Sequence, residues 1–466
     1  MSETSVEAAA REEEIEAAKG HGLSPDFIET FAEALDRDDV GVVRLLSQPL
    51  HYSELADLIE ALDFEQRGKL IDLIRDNFDP VVLTELDDTV REQVIEHLGM
   101  RHVAEAVADM ESDDALFVLG EMEPHEQDEV LAALPADERS LIREGLAYPE
   151  RSAGRLMQRE VVAIPEQWTV GESIDFLRGS ADLPLDFYDV ILVDPRHHPV
   201  ATVHLSRLLA AGRPVPLNTL AAKDMKTIPV EMDREEVAFL FRQRDLISAP
   251  VVDEDGRLVG AITIDDIVDV IDEEHEEDIM RLAGVGEGDN LFTAVLDTIR
   301  ARFFWLLTYV VCAFAAATVI RMFQGSINEM VALAILMPIV AAMGGTASVQ
   351  TLTVAVRAIA MKELTSANAL RNIGKELGVA FINGVVFAIL VGAVVGLWFA
   401  DWALGGVIGL AIVLNLVVAG LYGSTMPVLL LRIGVDPAVA SSAFATAITD
   451  IFGFFVFLGL ATLILL

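Results

Sequence analysis

From residue 300 onward the chain consists of long stretches without charge: Phe303 to Ile320, Met330 to Val356, Leu377 to Ala400 and Trp402 to Leu431. A fifth, Pro437 to Leu466, is broken by one charged residue, Asp450. A helix needs about 20 apolar residues to cross a hydrocarbon core. Its backbone groups must then be bonded within the segment. The sequence therefore predicts five membrane-spanning helices, of which the first, at 18 residues, is the shortest.

Loop charges predict the orientation. Arg300 and Arg302 precede the first stretch, Arg357, Lys362, Arg371 and Lys375 separate the second from the third, and Arg432 separates the fourth from the fifth. All fall on one side, and the other holds Arg321. Basic loops favour the cytoplasmic face, so the expectation is a multi-pass protein of the cell membrane, N-terminus inside and C-terminus outside. The start, MSETSVEAAAREEEIEAAKG, has neither the basic nor the apolar region of a signal peptide. The single Cys312 excludes an intrachain disulfide and reads as a small packing residue.

Charge is divided unevenly. Of 33 basic and 74 acidic residues, 8 and 6 lie from residue 300 onward, leaving 25 and 68, a net of −43, in the first 299. Such a surface repels nucleic acid and attracts cations. It also suits a salty cytoplasm, since only 6 of the basic residues are Lys; the two readings are compatible.

From about Leu50 to Leu146 a helical period dominates. Leu62, Leu86, Met110 and Leu134 recur every 24 residues, each followed by a turn or cap residue: Asp63, Asp87, Glu111 and Pro135. Two short helices per 24 residues predict a small α-helical solenoid, a scaffold or interaction surface.

After Arg155 the pattern becomes mixed and occurs twice. Each copy runs strand, helix, β-rich strand (VILVD or APVVD), turn, strand, helix. The duplication resembles a tandem pair of CBS domains, most specifically in APVVDEDGRLVGAITIDDIV. In nucleotide-binding pairs of that family a Thr or Ser followed three residues later by Asp holds the ribose. Thr263 and Asp266 match in the second copy, and the first, Thr202 to Ser206, lacks the Asp. The resemblance thus leaves open ATP or another adenine nucleotide, and helix capping explains Asp265 and Asp266 equally well. His197-His198 reads as an exposed turn.

The acidic run Asp272 to Asp278 predicts a connecting helix. His275-Glu276 begins the zinc-protease pattern H-E-x-x-H, but its fifth position is Ile279, so that chemistry fails.

The second span carries MPIVAAMGGTASVQT. Pro338 frees a carbonyl, Gly344 and Gly345 allow close approach, and Thr346, Ser348 and Gln350 add polar groups. For the glycines a close helix crossing explains the pattern as well as an ion path does. In the fifth span Ala438, Ser442, Thr446 and Asp450 recur every four residues, beside a row of Ser441, Ala445, Thr449 and Gly453. Asp436-Pro437 is expected to start that helix. A charge at membrane depth costs roughly 2.5 to 3.5 kcal/mol and faces a watery path or a partner.

GGTASVQ, RNIGKE and DPAVASSAFATAITDIFG, with this domain order, resemble the MgtE family of magnesium channels over essentially the whole chain after residue 30. Pro338, Gly344, Gly345, Gln350, Asp436, Pro437, Ala438, Phe444, Thr446, Asp450 and Gly453 match the family pattern. Thr346, Ser348, Ala443 and Ala447 depart from it and bear on selectivity. The resemblance implies a non-enzymatic homodimer in the lipid bilayer with a central pore, in which Asp450, helped by Ser442 and Thr446, binds hydrated Mg²⁺. Pro338, Gly344, Gly345, Gln350 and Gly453 would support that pore.

The resemblance also implies a gate, closed when internal Mg²⁺ bridges acidic faces. The candidate ligands are Asp253, Glu254, Asp255, Asp272, Glu273, Glu276 and Glu277. The domains expected are an acidic, flexible N-terminus (1–23), a helical domain (24–150), CBS-like units (151–212 and 213–272), a connecting helix (273–300) and a five-helix membrane domain (301–466). The alternatives are a carrier coupling a divalent cation to Na⁺ or H⁺ and a non-transporting, CBS-regulated membrane sensor.

Overall fold

The computed structural model describes residues 22–466 except 181, 182, 185, 186, 222, 223, 287, 288, 366, 440 and 441. The expectation for the acidic start therefore lies outside the described residues up to residue 21, as does Ser441. The chain divides into two compact units, Met1–Asp272 and Glu273–Leu466.

In the first unit, helices Pro25–Asp36 and Val40–Ser47 lead into four helix pairs. The pairs are Tyr52–Ala61 with Phe64–Ile74, Val82–Glu85 with Asp88–Leu98, Met100–Asp109 with Ser112–Gly120, and Pro124–Ala133 with Ala136–Leu146. The 24-residue period marks the turn inside each pair. Leu62, Leu86 and Leu134 are buried there, and Asp63, Asp87, Glu111 and Pro135 each occupy the N-cap of the second helix. Asp63 accepts from the Gln66 N–H at 2.9 Å and Asp87 from the Thr89 N–H at 3.0 Å, satisfying donors that a helix start leaves unpaired.

A second element of the repeat is an arginine. Arg67 donates to the carbonyls of Ile59 and Leu62 (2.9 and 3.0 Å). Arg91 does the same to Leu83 and Leu86 (2.8 and 2.6 Å), and Arg139 donates to Leu134 (2.7 Å). Each guanidinium fork closes the C-terminal carbonyls of the helix before it. In the third pair Ala115 takes that place.

The mixed half forms two sheets of one topology. In the first, β1 (Ala163–Pro165) runs parallel to β2 (Asp189–Val193), which pairs antiparallel with β3 (Pro199–His204). In the second, β4 (Ile228–Pro229), β5 (Ser248–Val252) and β6 (Leu258–Thr263) repeat the pattern. The two cores exchange their leading segments. Ala153 and Met157, which precede β1, sit in the core of the second sheet, with Ala153 N–H bonded to Met232 O at 2.7 Å. Leu217, which precedes β4, sits in the core of the first, with its N–H on Trp168 O at 2.9 Å. Neither core is complete from a contiguous stretch of sequence.

The acidic run lies in the helix Ile264–Ala283. That helix stops at Gly284, whose φ of +73° suits glycine in the left-handed region. Residues 273–300 are therefore not one helix, because the next begins at Val295.

Among its described residues the second unit contains five helices long and apolar enough to cross a membrane: Val295–Met322, Ala332–Ala360, Ala369–Trp398, Trp402–Arg432 and Ser442–Ile464. They match the five predicted spans in order. The fourth is the most enclosed, packing against the second, third and fifth. Glycine sets these distances: a β-carbon on Gly423 would lie 2.8 Å from Ser348 O, and one on Gly392 2.8 Å from Gly405 O. Pro437 does not start the last helix, Ser442–Ile464. Asp436 instead caps a short 3₁₀ turn, Pro437–Val439, accepting from the Ala438 N–H at 2.8 Å. The Val439 N–H reaches back three residues to Asp436 O, the closure of a 3₁₀ rather than an α turn.

Candidate functional site

Asp450 lies near the middle of the fifth span and is partly buried. It opens on a cleft of about 210 Å³ between the first and fifth spans, lined by Tyr309, Cys312, Ala316, Ile320, Ala447 and Phe454 among others. Among the described residues the cleft walls carry no basic side chain. Ala447 leaves room there that a larger side chain would occupy. Cys312, expected as plain packing, forms part of the wall facing this carboxylate.

The other motif residues gather elsewhere. Gly345 of the second span faces Thr446 of the fifth, where a β-carbon would stand 3.2 Å from Thr446 Cγ2. Gly344 faces Thr449, with the corresponding distance to Thr449 Cβ being 3.1 Å. The row Ala445, Thr449 and Gly453 is buried, while Ser442, Thr446 and Asp450 are partly exposed. Ser442 is the first described residue of the helix, and Ala438 lies in the 3₁₀ turn before it. Thr346 and Gln350 are exposed, Ser348 is buried, and Pro338 lies within an unbroken helix. The double glycine thus makes a close crossing of the second and fifth spans, and Asp450 is presented on the neighbouring face.

Sequence reasoning missed Asn415. It is fully buried in the fourth span, and its amide donates to Val340 O of the second at 3.0 Å. A lone amide in an apolar helix has no spacing partner in its own segment, and that solitude was the available signal.

The acidic candidates separate into distinct places. Asp253, Glu254 and Asp255 form the β5–β6 turn, where Asp253 accepts from the Arg257 N–H at 2.8 Å. Asp272, Glu273 and Glu276 are exposed on the acidic helix, and Glu277 pairs with Arg281. Arg281 also pairs with Asp436. Nearby, burial and then Asp436 push the Asp278 carboxyl up to about 6.

A denser acidic group occurs where the helical repeat meets the second sheet unit. Thr263 Oγ1 donates to Asp266 Oδ2 at 2.9 Å, which caps the acidic helix. Burial, then Asp265, raise Asp266 to about 7. Asp113 is raised by burial and then by Asp266. Asp114 is raised to about 6 by burial, then by Asp265, Glu85 and Asp269. Sequence reasoning reached Asp266 but not Asp113, Asp114, Glu85 or Asp269. Among the described residues no three His, Cys, Asp or Glu side chains form a ready metal cage. An ion held here would keep most of its water, as Mg²⁺ prefers.

Five apolar spans following an acidic helical repeat and a strand–helix duplication define a multi-domain membrane protein. Three family models match the chain: the MgtE divalent cation transporter over residues 337–460, the MgtE intracellular N domain over 50–151 and the CBS domain over 218–273. A magnesium transporter MgtE of Enterococcus faecalis is 32% identical over 70% of this chain and 72% of its own length. Another, from Thermus thermophilus, is 29% identical over 93% of this chain and 97% of its own. The chain belongs to the MgtE family of magnesium transporters. A crystal structure of the cytosolic domain of the Mg²⁺ channel MgtE in complex with ATP aligns at 27% identity over 52% of this chain and 99% of that one, with a TM-score of 0.48.

Proposed function

We propose that this protein is a Mg²⁺ channel of the cell membrane, acting as a homodimer with its N-terminal half in the cytoplasm. Two copies of Asp450 share a hydrated Mg²⁺ on the pore axis, with Ser442 and Thr446 touching its water shell. The observation that carries this reading is Asp450 itself, at mid-span on an open cleft whose walls carry no basic partner. A carboxylate at that depth is expected to serve an ion path. Mg²⁺ surrenders its water reluctantly, so a pair of carboxylates suits it better than a dry cage. The loop charges support the orientation.

Internal Mg²⁺ closes the channel. The net charge of −43 in the first 299 residues supplies the repulsion that opens it. A ligand shifts such an equilibrium only by binding one state better. The raised carboxyls of Asp113, Asp114 and Asp266 are groups that a divalent cation would relieve. They join Asp253, Glu254, Asp255, Asp272, Glu273, Glu276 and Glu277 as candidate regulatory ligands. Thr263 and Asp266 remain the candidate ribose contacts for ATP, in competition with their capping bond.

The test is uptake of Mg²⁺, Mn²⁺, Co²⁺ and Ca²⁺ into liposomes holding the pure protein, with internal Mg²⁺ varied. Mg²⁺ should enter without an imposed Na⁺ or H⁺ gradient, fall as internal Mg²⁺ rises, and stop in Asp450→Ala. Uptake that persists in Asp450→Ala refutes the pore assignment, and uptake that demands a counter-ion gradient makes the protein a carrier.

A further inference from the structure

Asn415 stands where three spans meet. Its Nδ2 donates to Val340 O of the second span at 3.0 Å. Two glycines of the motifs are shaped around it. A β-carbon on Gly344 of the second span would collide with Nδ2, and one on Gly453 of the fifth would lie 2.7 Å from the same atom. Thr449, beside Asp450 in sequence, closes the same notch from the fifth span. Gly453 lies one helical turn beyond Asp450, so the amide meets the fifth span within a turn of the carboxylate.

The other end of the side chain is bare. Asn415 Oδ1 is buried and accepts no hydrogen bond among the described residues. Simple helix adhesion does not account for this, because an unmade bond at a buried carbonyl oxygen is costly and a hydrocarbon side chain would avoid it. The geometry has a different consequence. Asn415 is bonded to the second span but meets the fifth by shape alone, so the fifth span is located without being tied.

We propose that Asn415 is a positioning residue for ion selection: it keys the notch of Gly344 and Gly453 and sets the rotation and depth at which the fifth span presents Asp450. This rests on the reading that Asp450 handles the transported ion. The amide touches no ion; it acts through the helix that carries the carboxylate.

The test uses the full-length protein and the variants Asn415→Ala, Gly344→Ala and the double variant. In detergent, Gly344→Ala should lower the unfolding temperature in the parent and do so much less in the Asn415→Ala background, because the collision has been removed. Additive effects overturn the proposal. In liposomes, Asn415→Ala should lower the ratio of Mg²⁺ to Ca²⁺ uptake about threefold, the equilibrium worth of an average interhelical bond in a bilayer. An unchanged ratio in a folded variant overturns the positioning role and leaves the channel reading standing. A parent that moves no divalent cation ends the channel reading and this role with it. Asn415→Ser, which keeps a donor in a smaller side chain, carries both measurements if Asn415→Ala does not fold.

Discussion

Burial first and Asp266 second hold the Asp113 carboxyl well above the usual carboxylate range. These two acids come from different parts of the first unit, one from the helical repeat and one from the start of the acidic helix. Their encounter opposes folding whenever both are ionised.

The sign of the resulting pH dependence is fixed. A carboxyl raised on folding binds its proton more tightly in the folded state, so stability is greatest in acid and falls as pH rises. With Asp114 at about 6 and Asp266 at about 7, against an ordinary 3.8, the loss should run from about pH 4 to about pH 7. Mg²⁺ should raise the unfolding temperature of the full chain strongly at pH 7.5 and little at pH 5, where these groups hold protons. Asp113→Asn and Asp266→Asn should each flatten that difference. A Mg²⁺ effect of equal size at both pH values contradicts the assignment.

The repeat arginines predict a loss beyond that of an exposed ion pair, such as the one Arg91 also makes with Asp88 at 3.0 Å. Arg91→Met would leave the carbonyls of Leu83 and Leu86 without their guanidinium, at a cost of about 2 to 3 kcal/mol. Arg91→Lys should recover little of it, because one ammonium does not reproduce the fork that spans two carbonyls. Thermal unfolding of both variants measures this, and full recovery by lysine would count against the fork.

At the acidic helix, Arg281 holds Asp436 and Glu277 together beside the raised Asp278. Arg281→Glu replaces that bridge with a fourth like charge, which should weaken the closed state. The internal Mg²⁺ needed to halve uptake in liposomes should rise by about threefold to fivefold, the worth of a partly exposed ion pair. No shift, or a fall, would detach this pair from the gate.

Much of this architecture was legible because it obeys a period. The spacing of Leu62, Leu86, Met110 and Leu134 located four helix pairs, and Asp63 and Asp87 cap helices as their type suggests. The arginines of the same repeat were not legible, since nothing in the sequence sets Arg67 and Arg91 apart from surface charges and only the fold shows their forks turned onto helix ends. Asp113 and Asp114 were hidden by abundance, for in a chain with 74 acidic residues no single one stands out. The exchange of Met157 and Leu217 between the two sheet cores is a tertiary choice with no local signal. Asp450 was conspicuous because the sequence around it is apolar; Asn415, uncharged, was not.

The five spans are unequally held. The second, third, fourth and fifth share contacts through the buried fourth helix, while the first packs chiefly on the fifth. That loosely attached helix also supplies Tyr309, Cys312 and Ala316, the far wall of the Asp450 cleft. Widening or narrowing the cleft therefore calls for moving one peripheral rod, with no repacking of the other four.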